Sequence, residues 1–459
     1  MRKISVLMAF LITGYILGIW NFLVLPKYYI TFGLKGFLIS LIPMLIALFL
    51  IYSEAESTKR TRYLIYELFF KIARTPALIF TLVMFLLIML GITTYYSAYS
   101  LVYIFGIGAK YVPVIAVGTI ILSVILLLMA KGKTLEFISV VSILFVLFAI
   151  VSAILVRNQA LSTVTAPQAV QYMKMAVSSI TSFDQSLTFR GVLYMLVSVL
   201  VSFGIGAGVY YVIGSFTPEE LDLKKVLGIV FILQIILSFA AAFTVAYSLG
   251  AAYQGFGKAF QNPNIPAEES MNLYLKFQDL KEYVINSEKS PMDSIEVFYS
   301  IPEVLRGNIA HADRLIYLLM LSLYFAGLTT IIVLIEMGSQ ILSEVMQLDR
   351  SKSLTFVAVL GMILAGVMVV GDIRTMFLVV PFSVGALIAA VEAYPLLASE
   401  LTRNNGIVAA VIGVLFLAGL MTLYYAIRAP AITVKIGALL GLVLFVPVFM
   451  NTTLLKSRR

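Results

Sequence analysis

Apolar runs recur along this chain at a length set by the bilayer, whose hydrocarbon core takes about 20 helical residues to cross. Twelve can be drawn, roughly at 4–25, 29–53, 77–106, 112–130, 135–156, 190–216, 225–253, 313–342, 354–370, 376–399, 406–427 and 431–455. They predict an all-α polytopic membrane protein of about 12 transmembrane helices. Two runs are interrupted where a membrane helix should be continuous. The first contains GYILGIWNFLVLP, with Gly14, Gly18 and Asn21 ahead of Pro26; the sixth, from Val197 to Phe216, contains Ser202, Gly204, Gly206 and Gly208. Backbone released from helical hydrogen bonds is tolerated at membrane depth only where protein or water satisfies it, so each break points to a cavity or an ion site. A plain kink and glycine-mediated helix packing are the alternatives. The two runs are five spans apart. A unit with an odd number of spans inserts in the opposite sense when repeated, so the matched breaks predict a 5+5 inverted repeat with discontinuous helices 1 and 6 around a midplane site.

On this division residues 1–156 form the first five-helix repeat and 157–189 an extracellular connection. Residues 190–399 form the second repeat, with an extracellular segment at 254–312, and 400–459 supply helices 11 and 12. Within 54–76, ELFFKIAR predicts an amphipathic helix on the inner surface. In 254–312 a helical pattern from Glu268 to Val284, with breaks expected at Pro291 and Pro302, predicts a short helix pair capping the outer side.

Composition excludes a soluble domain: 61% of the residues are hydrophobic and 12% charged, and the mean hydropathy is +1.03. The first run is no cleavable signal, because no small-residue cleavage pattern ends it. The net charge of +9 reflects topology rather than nucleic-acid binding, since the basic residues are dispersed among the connections. With the N-terminus inside, the inner connections receive Arg2, Lys3, Lys59, Arg60, Arg62, Lys71, Arg74, Lys131, Lys133, Lys224, Lys225, Arg350, Lys352, Arg403, Lys456, Arg458 and Arg459. The short outer ones hold only Lys27, Lys35, Lys110, Arg374 and Arg428. That asymmetry predicts a multi-pass protein of the plasma membrane with both termini cytoplasmic.

The chain has no Cys and one His, which excludes iron–sulfur clusters, thiolate metal sites and bis-histidine haem. His311, in the polar stretch NIAHADR, receives no role. No cluster of His, Cys or paired carboxylates forms a catalytic set, so an enzyme is not expected. Glu336 and Glu392 fall inside apolar runs, where a carboxylate is paired, protonated or beside water. For Glu336 a structural hydrogen-bonding role is weighed against proton coupling; Glu392 has no clear reading. Thr329 and Thr330 place adjacent hydroxyls in an apolar helix, suited either to a hard cation or to bonding the carbonyl one turn earlier.

The run from Gly14 to Glu54 resembles the first two helices of the sodium:neurotransmitter symporters, in their leucine-transporter-like bacterial and archaeal branch. The matching residues are Asn21, Phe22, Pro26 and Glu54. FAGLTT (Phe325 to Thr330) followed by Glu336 is similar to that family's eighth helix. TYYSAY (Thr94 to Tyr99) resembles its third helix and SFGIG the break in its sixth. Together these pieces cover roughly the first three quarters of the chain. The resemblance implies a sodium-coupled symporter of a small neutral amino acid, working by alternating access. Sodium would be held by the carbonyls of Gly14, Leu17 and Ala326 and the hydroxyls of Thr329 and Thr330. A substrate carboxylate would meet the amides near Ile19 and Trp20 and the Tyr96 hydroxyl, and an ammonium the carbonyls of Ile16, Val199, Leu200 and Ser202. Ile92, Ile205, Thr330 and Leu334 would line the side-chain pocket.

Departures from the family pattern carry expectations of their own. Trp20 replaces a glycine, which shrinks or lids the pocket. Val24 replaces the arginine of an outer ionic gate whose partner would be Asp372 or Phe377, so closure by apolar and aromatic contacts is expected. A second sodium site at Asn21 is expected to be weak or absent, because Leu200 and Tyr247 stand where a threonine and an asparagine would; a shift of one residue would bring in Ser248. The alternatives are a proton-coupled or uniporting carrier of an amine or other small solute, and a non-transporting sensor or scaffold of the same fold. A small-molecule substrate and membrane lipid are the expected partners, nucleic acid is not, and the oligomeric state stays open.

Overall fold

The structure is a computed structural model that describes residues 2–129, 131–398, 401–402 and 405–456. Arg403, Arg458 and Arg459, counted among the inner charges, lie outside the described residues. The described chain is helical, with no strand. The first apolar run is α1 (Arg2–Ile16) and α2 (Ile19–Val24), continued by α3 (Pro26–Thr31). Its break centres on Gly18, where a Cβ would lie 2.2 Å from the Thr330 hydroxyl oxygen. Glycine is needed there for close approach. α4 (Gly33–Thr61) follows as the second span.

The inner amphipathic helix expected within 54–76 is not a surface helix. It consists of a three-residue α5 (Ile65–Glu67) and a π-helical turn, Leu68–Ile72. Ile65, Leu68 and Phe69 are buried, and the Phe69 ring packs 6.1 Å from that of Tyr211. Its apolar face is thus covered by protein instead of lipid. Three long spans come next: α6 (Ala77–Phe105), α7 (Val112–Leu128) and α8 (Lys131–Thr163), the last running past the expected boundary at 156. α9 (Pro167–Thr181) fills the connection to the sixth run.

That sixth run is α10 (Phe189–Ser202) and α11 (Val209–Phe216), separated by six residues without regular helix. α12 (Leu223–Gln261) starts where the Asp222 carboxylate accepts from the Lys224 and Lys225 amides at 3.1 and 3.3 Å. α13 (Ala267–Ile285) and α14 (Pro291–Leu305) form the expected helix pair, except that Pro302 lies inside α14 and does not break it. The pair caps one end of the bundle: α13 packs on α3 and α12, and α14 on α2, α12 and α15.

The remaining helices are α15 (Ala312–Met346), α16 (Arg350–Val367), α17 (Gly371–Ser383), α18 (Gly385–Ala393), α19 (Asn405–Arg428), α20 (Ile432–Val443) and α21 (Asn451–Lys456). Between Gly371–Ser383 and Gly385–Leu397 the chain bends by 47°, three residues beyond Pro381, whose missing N–H weakens the ladder. Among the described residues ten helices are long and apolar enough to cross a membrane, and the bent pair makes an eleventh. The sixth expected span, 190–216, is the one that fails that test, because the glycines cut it into pieces of 14 and 8 residues.

At the centre α15 packs on α6, α8 and α1. Small residues let the backbones approach: a Cβ on Gly327 would lie 2.6 Å from the Ser97 side chain. Large apolar side chains such as Ile42, Val114, Leu417 and Phe449 point outward, the arrangement of a multi-pass membrane protein.

Lys27, between the first two spans, is buried under the cap and donates to the Lys289 carbonyl. Burial pushes its ammonium down from 10.5 to about 7, with Asp293 opposing the shift and Lys289 and Arg190 adding to it. Between about pH 7 and 10.5 the unfolded chain therefore binds a proton that the folded chain lacks, and stability rises with pH across that window. Denaturation at pH 7 and pH 9 should show a contribution from this site of up to roughly 1.4 kcal/mol per pH unit. Lys27→Met should remove it; an identical pH slope in the variant would refute the assignment.

Candidate functional site

The unwound stretch between α10 and α11 organises the centre of the molecule. Gly204, Gly206 and Gly208 have φ of +66°, +107° and +70°, and a Cβ on Gly204 or Gly206 would strike the ring of Tyr15 or Phe85 at 2.7 or 2.8 Å. Only glycine fits on both grounds. Several of the backbone groups freed by unwinding are bonded within the protein. The amides of Gly206 and Gly208 both donate to the Glu392 carboxylate. Tyr15 donates to the Gly204 carbonyl at 3.1 Å and Tyr210 to that of Phe203. Tyr211 donates to the Glu392 carbonyl at 2.9 Å. Glu392, left without a reading by its sequence, is thus the acceptor that holds the break. Glu54 is equally buried and close enough to feel the charge of Glu392, and both of its carboxylate oxygens lack a hydrogen-bond partner.

A small cavity lies against this loop. Of the expected substrate residues, Trp20, Ser202, Ile205, Thr330 and Leu334 line it, together with Tyr15, Phe85 and Met89, which the sequence reading missed. About 10 Å³ is open to the centre of a water-sized sphere, the room of a single water. Ile16, Ile19, Ile92, Val199 and Leu200 are buried but do not line it. Trp20 donates from Nε1 to the Thr93 hydroxyl at 3.1 Å and meets the Phe382 ring edge-on at 6.5 Å. Tyr96, three residues beyond Thr93 on α6, is outside the cavity lining, and its hydroxyl donates to Glu296 of α14 at 2.8 Å.

The contacts at the capped face are therefore not purely apolar. Val24 is buried and Asp372 exposed, but Arg374 pairs with Glu296 at 3.0 Å. The ionic contact uses two residues that the family pattern did not single out.

Of the expected sodium ligands, Gly14 on α1 and Ala326, Thr329 and Thr330 on α15 meet. Thr329 Oγ1 donates to the Gly14 carbonyl at 3.1 Å and to that of Ala326 at 2.9 Å, and Thr330 Oγ1 donates to Ala326 at 3.0 Å. Leu17 is buried three residues after Gly14. The bonds to Ala326 are the ordinary back-bonds of membrane threonines, whereas the bond to Gly14 joins the two helices. A further oxygen went unnoticed in the sequence: Ser142 Oγ on α8 is buried without a partner, 2.4 Å from where a Gly14 Cβ would stand. An all-oxygen set with an unsatisfied hydroxyl fits a hard cation such as sodium. Among the described residues no group of three or more His, Cys, Asp or Glu could hold a metal.

Asn21 has a different partner from the one the helix alignment implied. Its Oδ1 accepts from Ser238 Oγ at 2.6 Å, while Ser248 bonds back to Thr244 at 2.7 Å. Gln234, one turn before Ser238, donates to Ser202 Oγ at 3.2 Å. Asn21 Nδ2 and Gln234 Oε1 are buried without partners. The i,i+4 pair Gln234 and Ser238 in an apolar helix was the sequence signal for this face of α12. Glu336 pairs with Arg350 at 2.9 Å and accepts from Gln340 at 2.7 Å.

No protein-family model matches the chain, and no characterised protein matches it with significance.

Glu392→Ala would leave two amide donors without an acceptor, a loss on the order of 1–3 kcal/mol for each. Hydrogen exchange over residues 203–208 should accelerate while α6 and α15 stay protected. Unchanged exchange in that stretch would show that Glu392 does not hold it.

Proposed function

We propose that the protein is a sodium-coupled secondary transporter of a small neutral amino acid, carrying it by alternating access around the interrupted helices. The observation that carries this reading is the meeting of Gly14, Ala326, Thr329 and Thr330 oxygens where the break in the first span touches α15. An oxygen set shared between two helices responds to their separation: it is complete when they are together and lost when they part, which is what couples ion occupancy to conformation. The cavity beside it, shared by Thr330, Ser202 and Trp20, would take the solute, and Trp20 would limit its size.

On this reading the chain has twelve spans, counting α10 with α11 and α17 with α18 as interrupted ones. They form a 5+5 inverted repeat, with both termini cytoplasmic in the plasma membrane, and the protein is not an enzyme. A proton-coupled carrier on the same fold is the second reading. It is favoured by Glu54, a fully buried carboxylate without a partner next to Glu392.

Purified protein in proteoliposomes separates the two. Amino-acid uptake should follow an inward sodium gradient with a Hill coefficient of about one, and Thr329→Val with Thr330→Ala should abolish it. Sodium at about 100 times its dissociation constant should stabilise the protein by roughly 2.7 kcal/mol, and the double variant should lose that gain. Uptake that follows a pH gradient and ignores sodium would replace the first reading with the second. A Hill coefficient near two would assign another ion to Asn21 and Ser238.

A further inference from the structure

The fifth span, α8, supplies no ligand in the oxygen set that the family resemblance implied, yet it brings one hydroxyl to that point. A serine in an apolar helix ordinarily donates to a carbonyl three or four residues earlier. On α8 Ser139 donates to Leu135 at 2.8 Å, Ser152 to Ala149 at 2.9 Å and Ser162 to Gln159 at 3.0 Å. Ser142 forgoes that bond. It is 2% exposed, and its Oγ has no hydrogen-bond partner among the described residues. A buried hydroxyl left in this condition is costly, and a bound water or ion is the usual reason for it.

The hydroxyl is aimed at α1. A Cβ on Gly14 would lie 2.4 Å from Ser142 Oγ, but 3.5 Å from both Ser142 Cβ and Thr329 Cβ. The two carbons are at ordinary contact, so glycine at position 14 makes room for an oxygen. The Gly14 carbonyl is also released from its helix, because the Gly18 amide donates to Tyr15 at 3.3 Å instead of reaching one residue further back. That carbonyl accepts from Thr329 Oγ1 at 3.1 Å. Phe148 of α8 stacks on Phe325 of α15 with ring centres 6.2 Å apart, which holds α8 against the helix that carries Thr329. Three helices thus bring oxygen to one place: a freed carbonyl from α1, a hydroxyl from α15 and an uncommitted hydroxyl from α8.

We propose that Ser142 Oγ is a direct ligand of the alkali cation, so that the ion is gripped by α8 as well as by α1 and α15. This rests on the proposed function, which puts sodium between Gly14 and Thr329, and adds a third helix to the site. A hydroxyl turns a lone pair to a cation and its proton away. Ser142 has no internal bond to break in doing so. Sodium therefore fixes α8 to α1, and not only α1 to α15.

Purified protein in choline chloride, titrated with sodium chloride and followed by thermal melting, tests this without requiring transport. Ser142→Ala should raise the sodium concentration at half-effect about tenfold, the loss expected for one contact to a charge, and should melt no lower than wild type in choline alone. Gly14→Ala should melt lower in choline, because its Cβ crowds Ser142 Oγ. Adding Ser142→Ala should restore the melting temperature while sodium affinity stays about tenfold weak, since room is returned and the ligand is not. Hydrogen exchange over residues 138–146 of α8 should slow on saturation with sodium in the wild type and not in Ser142→Ala. A sodium response that Thr329→Val removes and Ser142→Ala leaves unchanged would overturn the Ser142 ligand and uphold the sodium site. Weaker binding in Ser142→Ala with the slowing of α8 intact would make Ser142 a packing residue and also overturn the proposal. No sodium response in the wild type would refute the sodium reading itself.

Discussion

A backbone amide at the centre of a bilayer must find its acceptor inside the protein, and most of the architecture here follows from that requirement. The glycine-rich break between α10 and α11 exposes N–H and C=O groups that no lipid can satisfy. One carboxylate, Glu392, takes two of the N–H groups, and two tyrosines, Tyr15 on α1 and Tyr210 on α11, donate to the carbonyls. The helices that supply these groups are thereby fixed around the break. A carboxylate is an unusual choice for burial, but two backbone donors aimed at it are a strong compensating arrangement. Gly204 and Gly206 could not carry a Cβ, because the space beside them is taken by the rings of Tyr15 and Phe85.

The first break depends on the second through α15. Gly18 makes room for the Thr330 hydroxyl, and Thr329 reaches the carbonyl of Gly14 on the other side of the interruption. Thr330 and Leu334 also line the cavity that the second break bounds. One helix thus touches both interruptions with successive turns, so a change in its position is felt at both. Ser142 approaches the same point from α8 with an unsatisfied hydroxyl, which leaves the oxygen cluster with capacity its internal bonds do not use.

The all-helical, many-span class was legible in the sequence because membrane thickness imposes a length on apolar runs, and the two breaks were legible because glycine clusters have few other uses there. The adjacent threonines were found for the same reason: hydroxyls stand out in an apolar helix. The partner of Asn21 was not found, since a helix lacking charges gives no register, and Ser238 could be chosen over Tyr247 only once α12 was placed against α2. Glu296 and Arg374 were missed because they lie 78 residues apart on elements whose docking depends on the cap. Their pairing is a tertiary fact with no local pattern. The helix break expected at Pro302 failed because a proline costs one bond and one clash, which the packing of a buried helix face can outweigh.

The dimensions of the central cavity have an electrical consequence. A void with room for one water, walled largely by Trp20, Phe85, Met89 and Leu334, cannot hold a file of hydrogen-bonded waters. Protons move through proteins along such files, and small ions need a hydrated path. In this conformation there is therefore no room for such a file in the void beside the break, and the irregular backbone there offers protons no chain of waters to follow.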